Sequence, residues 1–121
     1  YPPETVIAEK VEAAVRLGMT NSRMKDYFDL LVLLRDENMA HERVVDALTA
    51  TFQRRKTPPP AEVPPGLSDD FGRDERASRL WREFLRRMEI DDMPTDFIAV
   101  VTELRDHIWP LLVKARNRQE S

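Results

Sequence analysis

The sequence predicts an all-α protein, a helical bundle of about five helices with an amino-terminal antiparallel hairpin and a proline-rich connector. Three observations carry that prediction. Only 3 of the 121 residues are Gly, the composition combines 41% hydrophobic with 34% charged residues, and apolar side chains recur at three- and four-residue intervals in one segment after another. A chain of this length buries a real but modest core. We therefore expect one helical domain, 1–121, with motif-bearing helices in 1–56, the connector in 57–66 and supporting helices in 67–121.

Pro2 and Pro3 lead into a first helix, Glu4 to Leu17, rich in helix formers and stopped by Gly18. Met19 and Thr20 leave a short connection to a second helix, capped by Asn21 or Ser22 and running to about Asp36, so that the two make the hairpin. A third fits Ala40 to about Arg54, with Val44, Val45, Leu48 and Phe52 at helical spacing. Five of the 9 prolines then fall between Thr57 and Gly66; helix is excluded there, and without Pro-x-x-Pro spacing the stretch reads as an extended spacer. Ala77, Leu80, Trp81, Phe84, Leu85 and Met88 mark an amphipathic helix from about Asp74 to Glu89. The last helix, Thr95 to about Asn117, continues past Pro110, which should kink it near Asp106.

Composition also excludes. With no Cys there is no disulfide framework and no thiolate metal site, and two isolated His do not make an imidazole site. A net charge of -3 gives no global attraction to nucleic acid or anionic lipid. The longest apolar run, Leu30 to Leu34, is far short of the roughly 20 residues that span a bilayer. No basic and apolar leader opens the chain, so a cytoplasmic location without a membrane partner is expected. The start at Tyr1, directly on a helix signal, suits a domain excised from a longer polypeptide.

The positions that could carry chemistry lie in the first hairpin. On a helical wheel Ile7, Val11, Ala14 and Leu17 face inward while Glu9, Glu12 and Arg16 face the other way, yet Lys10 falls inside the inward stripe. A lysine so placed snorkels to the rim, pairs with a carboxylate or reaches an anion in a cleft. On the second helix Met24, Tyr27, Phe28, Leu31 and Leu34 oppose a narrow polar stripe of Ser22, Lys25, Asp26 and Asp29. Leu30, Val32 and Leu33 make its later turns apolar all round, so the polar stripe is expected in a cleft or interface. The plain alternative is a surface ion pair between Lys25 and Asp29, in the weaker lysine-first orientation. A lysine beside paired aspartates suits phosphate chemistry: a cation for a triphosphate, and a carboxylate to orient a nucleophile or hold a metal. There is no glycine-rich phosphate loop and no second acidic cluster for magnesium, so the segment alone is not a whole active site.

Tyr1-Pro-Pro-Glu4, Val6-Ile-Ala-Glu9-Lys10-Val-Glu-Ala13, the turn at Gly18 and Asn21-Ser-Arg23-Met-Lys25-Asp26-Tyr-Phe-Asp29-Leu30 resemble, in order and spacing, the last two motifs of the AbiEii/AbiGii toxin family of nucleotidyltransferases. The proline-rich stretch, the Trp81 to Phe84 helix and the final helix with Trp109-Pro110-Leu111 are similar to the family's carboxy-terminal region. The resemblance implies a two-part enzyme that moves a nucleotide from an NTP to an acceptor, with tRNA as the acceptor in some members. A polymerase-β-like amino-terminal sheet domain, absent from this chain, would supply the metal-binding acids. It further implies Lys10 and Asp26 as catalytic residues, Lys10, Arg23 and Lys25 as nucleotide-binding, and Glu9, Ser22 and Asp29 as supporting. Mg2+ and an NTP are expected for the complete enzyme and neither for this chain alone, which is expected to be inactive; an antitoxin and an RNA acceptor are the implied partners. No metal ligand is expected within the chain.

Other features have simpler readings. The basic clusters Gln53 to Lys56, Arg86 and Arg87, and Lys114 to Arg118 lie near helix ends, where cations suit the carbonyl-rich terminus. Trp81 and Trp109 sit among apolar neighbours and read as core rather than base-stacking platforms. His41 and His107 have no nucleophile partner in sequence. Two further functions stay open: a stand-alone helical protein-interaction domain without catalysis, and an RNA-binding module if the basic clusters converge. Lys10 separates the enzyme from the interaction domain: a cleft residue is accessible on one side with Asp26 close by, whereas an interaction module buries it in an internal pair or leaves it in open solvent.

Overall fold

A computed structural model describes residues 1–120. Six α-helices are found among them, with no strand: α1 (Pro3–Leu17), α2 (Met24–Leu34), α3 (His41–Arg55), α4 (Asp69–Arg73), α5 (Glu75–Arg87) and α6 (Phe97–Glu120). Single 3-10 turns at Gly18–Thr20 and Pro65–Leu67 precede α2 and α4. The all-α class is therefore observed, with six helices rather than about five. No described helix is long and apolar enough to cross a membrane.

Local chemistry explains most boundaries. Pro3 opens α1, where its missing N–H is one the helix leaves unpaired anyway, and Gly18 closes it at φ 59, its N–H donating to the Ala14 carbonyl. α2 lacks the side-chain cap expected from Asn21 or Ser22. The Asn21 Oδ1 instead accepts from the Arg23 N–H at 2.9 Å, a local turn one step ahead of the helix, and α2 stops at Leu34 rather than near Asp36. Ser68 caps α4 by accepting from the Phe71 N–H, and Asp74 caps α5 by accepting from the Ala77 N–H at 2.9 Å. α4 is the helix not anticipated: its 5 residues are too few to show a period. α6 carries Pro110 in its interior, which deletes one backbone hydrogen bond without ending the helix.

Amphipathic faces from all six helices meet in one cluster. Inside it Tyr27, Phe71, Trp81, Phe84 and Phe97 form an aromatic nest with ring centroids 5.3 to 5.8 Å apart. α1 packs chiefly along α3, and more lightly on α2. The proline-rich segment lies against this body. Thr57 donates to Glu12, Arg116 donates to the Ala61 carbonyl, and the buried Tyr27 hydroxyl donates to the Gly66 carbonyl at 2.8 Å. Gly66 is required there, since a Cβ would stand 2.4 Å from the Ala14 carbonyl oxygen.

Candidate functional site

α1 and α2 bring Lys10 and the two aspartates together. The Lys10 Nζ donates to Asp26 Oδ1 at 2.9 Å and lies 3.2 Å from Asp29 Oδ2, while Lys25 donates to the same Asp29 oxygen at 2.7 Å. Asp26 and Asp29 are half-buried, as is Lys10, whose side chain keeps 21% of its surface. Two cations and two carboxylates thus alternate along one seam. An ammonium has three N–H donors, and the two aspartates account for two of them. The surface pair Lys25 and Asp29 is also formed, so Asp29 serves both lysines.

Desolvation opposes the Lys10 ammonium, yet its hydrogen bonds to the Asp26 and Asp29 carboxylates outweigh it and its pKa is raised. The group stays a cation across the physiological range. Because the folded pKa lies above the ordinary value, its stabilising contribution is complete below the unfolded pKa and disappears as pH rises through the folded one. The stability difference between wild type and Lys10→Met, measured by urea unfolding, is expected to be constant from neutrality to about pH 10 and to shrink above it. A difference that changes between pH 6 and 9 would contradict this assignment.

Two open depressions flank the pair. One, of about 410 Å³, is lined by Tyr1, Thr5, Val6, Glu9, Lys10 and Arg54. The other, of about 340 Å³, lies between the start of α2 and α5 and is lined by Ser22, Arg23, Lys25 and Asp26 together with Glu83 and Arg87. Lys10 therefore borders one depression and Asp26 the other. Lys10, Lys25, Asp26 and Asp29 are brought together, and Ser22 and Arg23 stand exposed in the depression of Asp26. Glu9 is not part of this group; it turns to α3, where Arg54 and Arg55 both donate to it. Val32 is 46% exposed, so α2 is not covered on all sides as its apolar run suggested.

The wheel also misplaced Glu12. It is completely buried, accepting from Arg16 and from the Thr57 hydroxyl at 2.8 Å, with Arg55 at 3.6 Å. α3 packs along the side of α1 that periodicity assigned to solvent, and its Arg54 and Arg55 are the reason that side carries Glu9 and Glu12. The cluster at residues 53 to 56 is thus largely an internal clamp. Lys114 and Arg118 likewise face Glu42. Trp81 is fully buried, with its indole N–H donating to the Pro94 carbonyl at 2.8 Å, while Trp109 is half-buried at the edge of the core.

Among the described residues, no group of three or more His, Cys, Asp or Glu is arranged to hold a metal ion. What the site offers is a held cation, a half-exposed carboxylate beside it, and an arginine in reach of the same depression. No curated protein and no solved structure matches the chain. The model of one family, described as nucleotidyl transferase AbiEii toxin of type IV toxin–antitoxin systems, matches residues 1–103. The chain therefore belongs to the AbiEii nucleotidyl transferase toxin family, a membership that implies an antitoxin partner.

Proposed function

We propose that this chain is the carboxy-terminal helical part of a nucleotidyltransferase toxin, and that it contributes Lys10 and Asp26 to a cleft completed by an amino-terminal sheet domain. The observation that carries the reading is the half-buried Lys10 to Asp26 contact at 2.9 Å, with Lys10 bordering one depression and Asp26 another. Internal burial or open solvent would have favoured a plain interaction module.

In this reading the acceptor hydroxyl attacks the α-phosphorus of an NTP, the bond to the β-phosphate oxygen breaks, and pyrophosphate leaves. Asp26 takes the hydroxyl proton, and Lys10 holds that carboxylate in place through their hydrogen bond at 2.9 Å. The third Lys10 N–H is left for a phosphate oxygen, with Arg23 and Lys25 adding positive charge at the mouth. Ser22 and Asp29 support the seam, Asp29 by holding both lysines in place. Glu9 acts at a distance, by locking α1 to α3 through Arg54 and Arg55. Mg2+ supplies charge neutralisation at the phosphates when bound; its ligands belong to the companion domain, since this chain gathers no acidic cluster among its described residues. The acceptor is an RNA, tRNA in the most specific form of the proposal, and the protein works in the cytoplasm. Transfer of radiolabel from α-labelled NTPs to total RNA by the full-length protein tests the assignment, with wild type set against Lys10→Ala and Asp26→Ala. Activity retained in both variants sinks it.

A further inference from the structure

Ion pairing in this molecule is uneven. Most basic side chains elsewhere are neutralised, Arg35 by Glu103, Arg54 and Arg55 by Glu9, Arg105 by Asp69, and Lys114 by Glu42, the exceptions Arg23, Arg43 and Lys56 being isolated from one another in sequence. α5 is different. Arg76, Arg79, Arg82, Arg86 and Arg87 are all exposed, and none has a carboxylate within ion-pair distance among the described residues. At about 100° per residue these five occupy an arc of roughly 140°, opposite the arc of Ala77, Trp81, Phe84 and Leu85 that enters the core. Glu75 and Glu83 share the outer arc and still leave it an excess of positive charge. α5 therefore presents a predominantly basic face about 16 Å long on a chain whose net charge is -3.

An interior role explains only Arg87, whose guanidinium lies 5.9 Å from the centroid of the Phe84 ring; Arg76, Arg79, Arg82 and Arg86 make no ion pair or ring contact among the described residues. Helix-end electrostatics explains at most Arg86 and Arg87 in the last turn; Arg76 lies in the first turn, where a cation is unfavourable. The face also has a direction. Arg87 and Glu83 line the same depression as Arg23, Lys25 and Asp26, so the basic surface leads to the carboxylate of the proposed site. Guanidinium groups three and four residues apart, with no carboxylate within ion-pair distance, suit successive phosphates of a strand.

We infer that the exposed face of α5 binds the phosphate backbone of a nucleic-acid strand and feeds that strand towards Asp26. The acceptor role of the strand rests on the transferase reading; the binding itself does not. Such binding is sequence-independent and sensitive to salt.

The test uses the full-length protein and fluorescein-labelled oligouridylate, with oligothymidylate as the DNA arm, followed by fluorescence anisotropy over a salt series. Replacing Arg76, Arg79, Arg82 and Arg86 together by Gln is expected to weaken binding at least tenfold. The slope of log affinity against log salt should fall by about 0.7 for each phosphate that the protein no longer neutralises. The corresponding Lys quartet should retain most of the binding, and the thermal midpoint of both variants should match wild type, because these side chains have no internal partners. Preference for one oligomer identifies the sugar that the strand carries. Unchanged affinity in the Gln quartet overturns the proposal. So does arginine-dependent binding of poly-L-glutamate without binding of either oligonucleotide, which would make the face a site for an acidic protein. Arginine-dependent binding without any transfer would reject the transferase reading alone.

Discussion

Asp26→Ala in the full-length protein is expected to lower nucleotide transfer by about 10²- to 10⁴-fold, the contribution typical of a positioned general base, without unfolding the chain. The side chain is half-exposed at the mouth of a depression, and its partner in the structure is Lys10. Removing it leaves that ammonium with Asp29 at 3.2 Å, so no cation is stranded without a counter-charge. Lys10→Ala is expected to reduce transfer by a comparable factor for a different reason. It takes away the cation that faces phosphate and leaves Asp26 without its ion-pair partner, while Asp29 keeps Lys25 at 2.7 Å.

The largest effect on stability is expected at Trp81. It is fully buried, stacks on Phe84 with centroids 5.8 Å apart, packs against Phe97, and donates its indole N–H to the Pro94 carbonyl. That hydrogen bond anchors the loop between α5 and α6 to the core, so the residue joins packing to chain path. Trp81→Ala leaves a cavity in the aromatic nest and an unmet carbonyl beside it, at an expected cost of about 3–5 kcal/mol in urea unfolding. This is a large part of the roughly 5–15 kcal/mol typical of a domain, so the variant should be folded only in part at 37 °C. Trp81→Phe keeps most of the ring contact and should cost clearly less. Equal losses in the two variants would mean that the indole hydrogen bond dominates, and a negligible loss in both would contradict the packing described.

Much of the architecture was legible because helices announce themselves by period and punctuation. Pro3, Gly18 and Asp74 mark boundaries by mechanisms that need no tertiary information. Lys10 was legible as an anomaly, a charge inside an apolar stripe, and Asp26 as the companion polar stripe on the next helix. Three features were not. α4 is too short to show a period and is held by the Ser68 cap and the burial of Phe71. Glu12 sits at the centre of a clamp whose other members, Arg55 and Thr57, lie more than 40 residues away, and no local pattern reports such a distance. The arginines of α5 were scattered in sequence terms among glutamates and apolar positions; only the absence of ion pairs around them makes the face visible.

The central claim is that Lys10 meets the phosphates of a nucleotide, and affinity labelling tests it most directly. An NTP analogue with a pyridoxal aldehyde in place of the terminal phosphate forms an imine with a lysine at that position, which borohydride fixes for peptide mapping. Accessibility alone favours Lys25, Lys56 and Lys114, which are exposed, over Lys10, whose side chain keeps 21% of its surface and whose pKa is raised. The account predicts labelling of Lys10 ahead of Lys56 and Lys114, suppressed by excess NTP. Labelling confined to the exposed lysines and indifferent to NTP would contradict it.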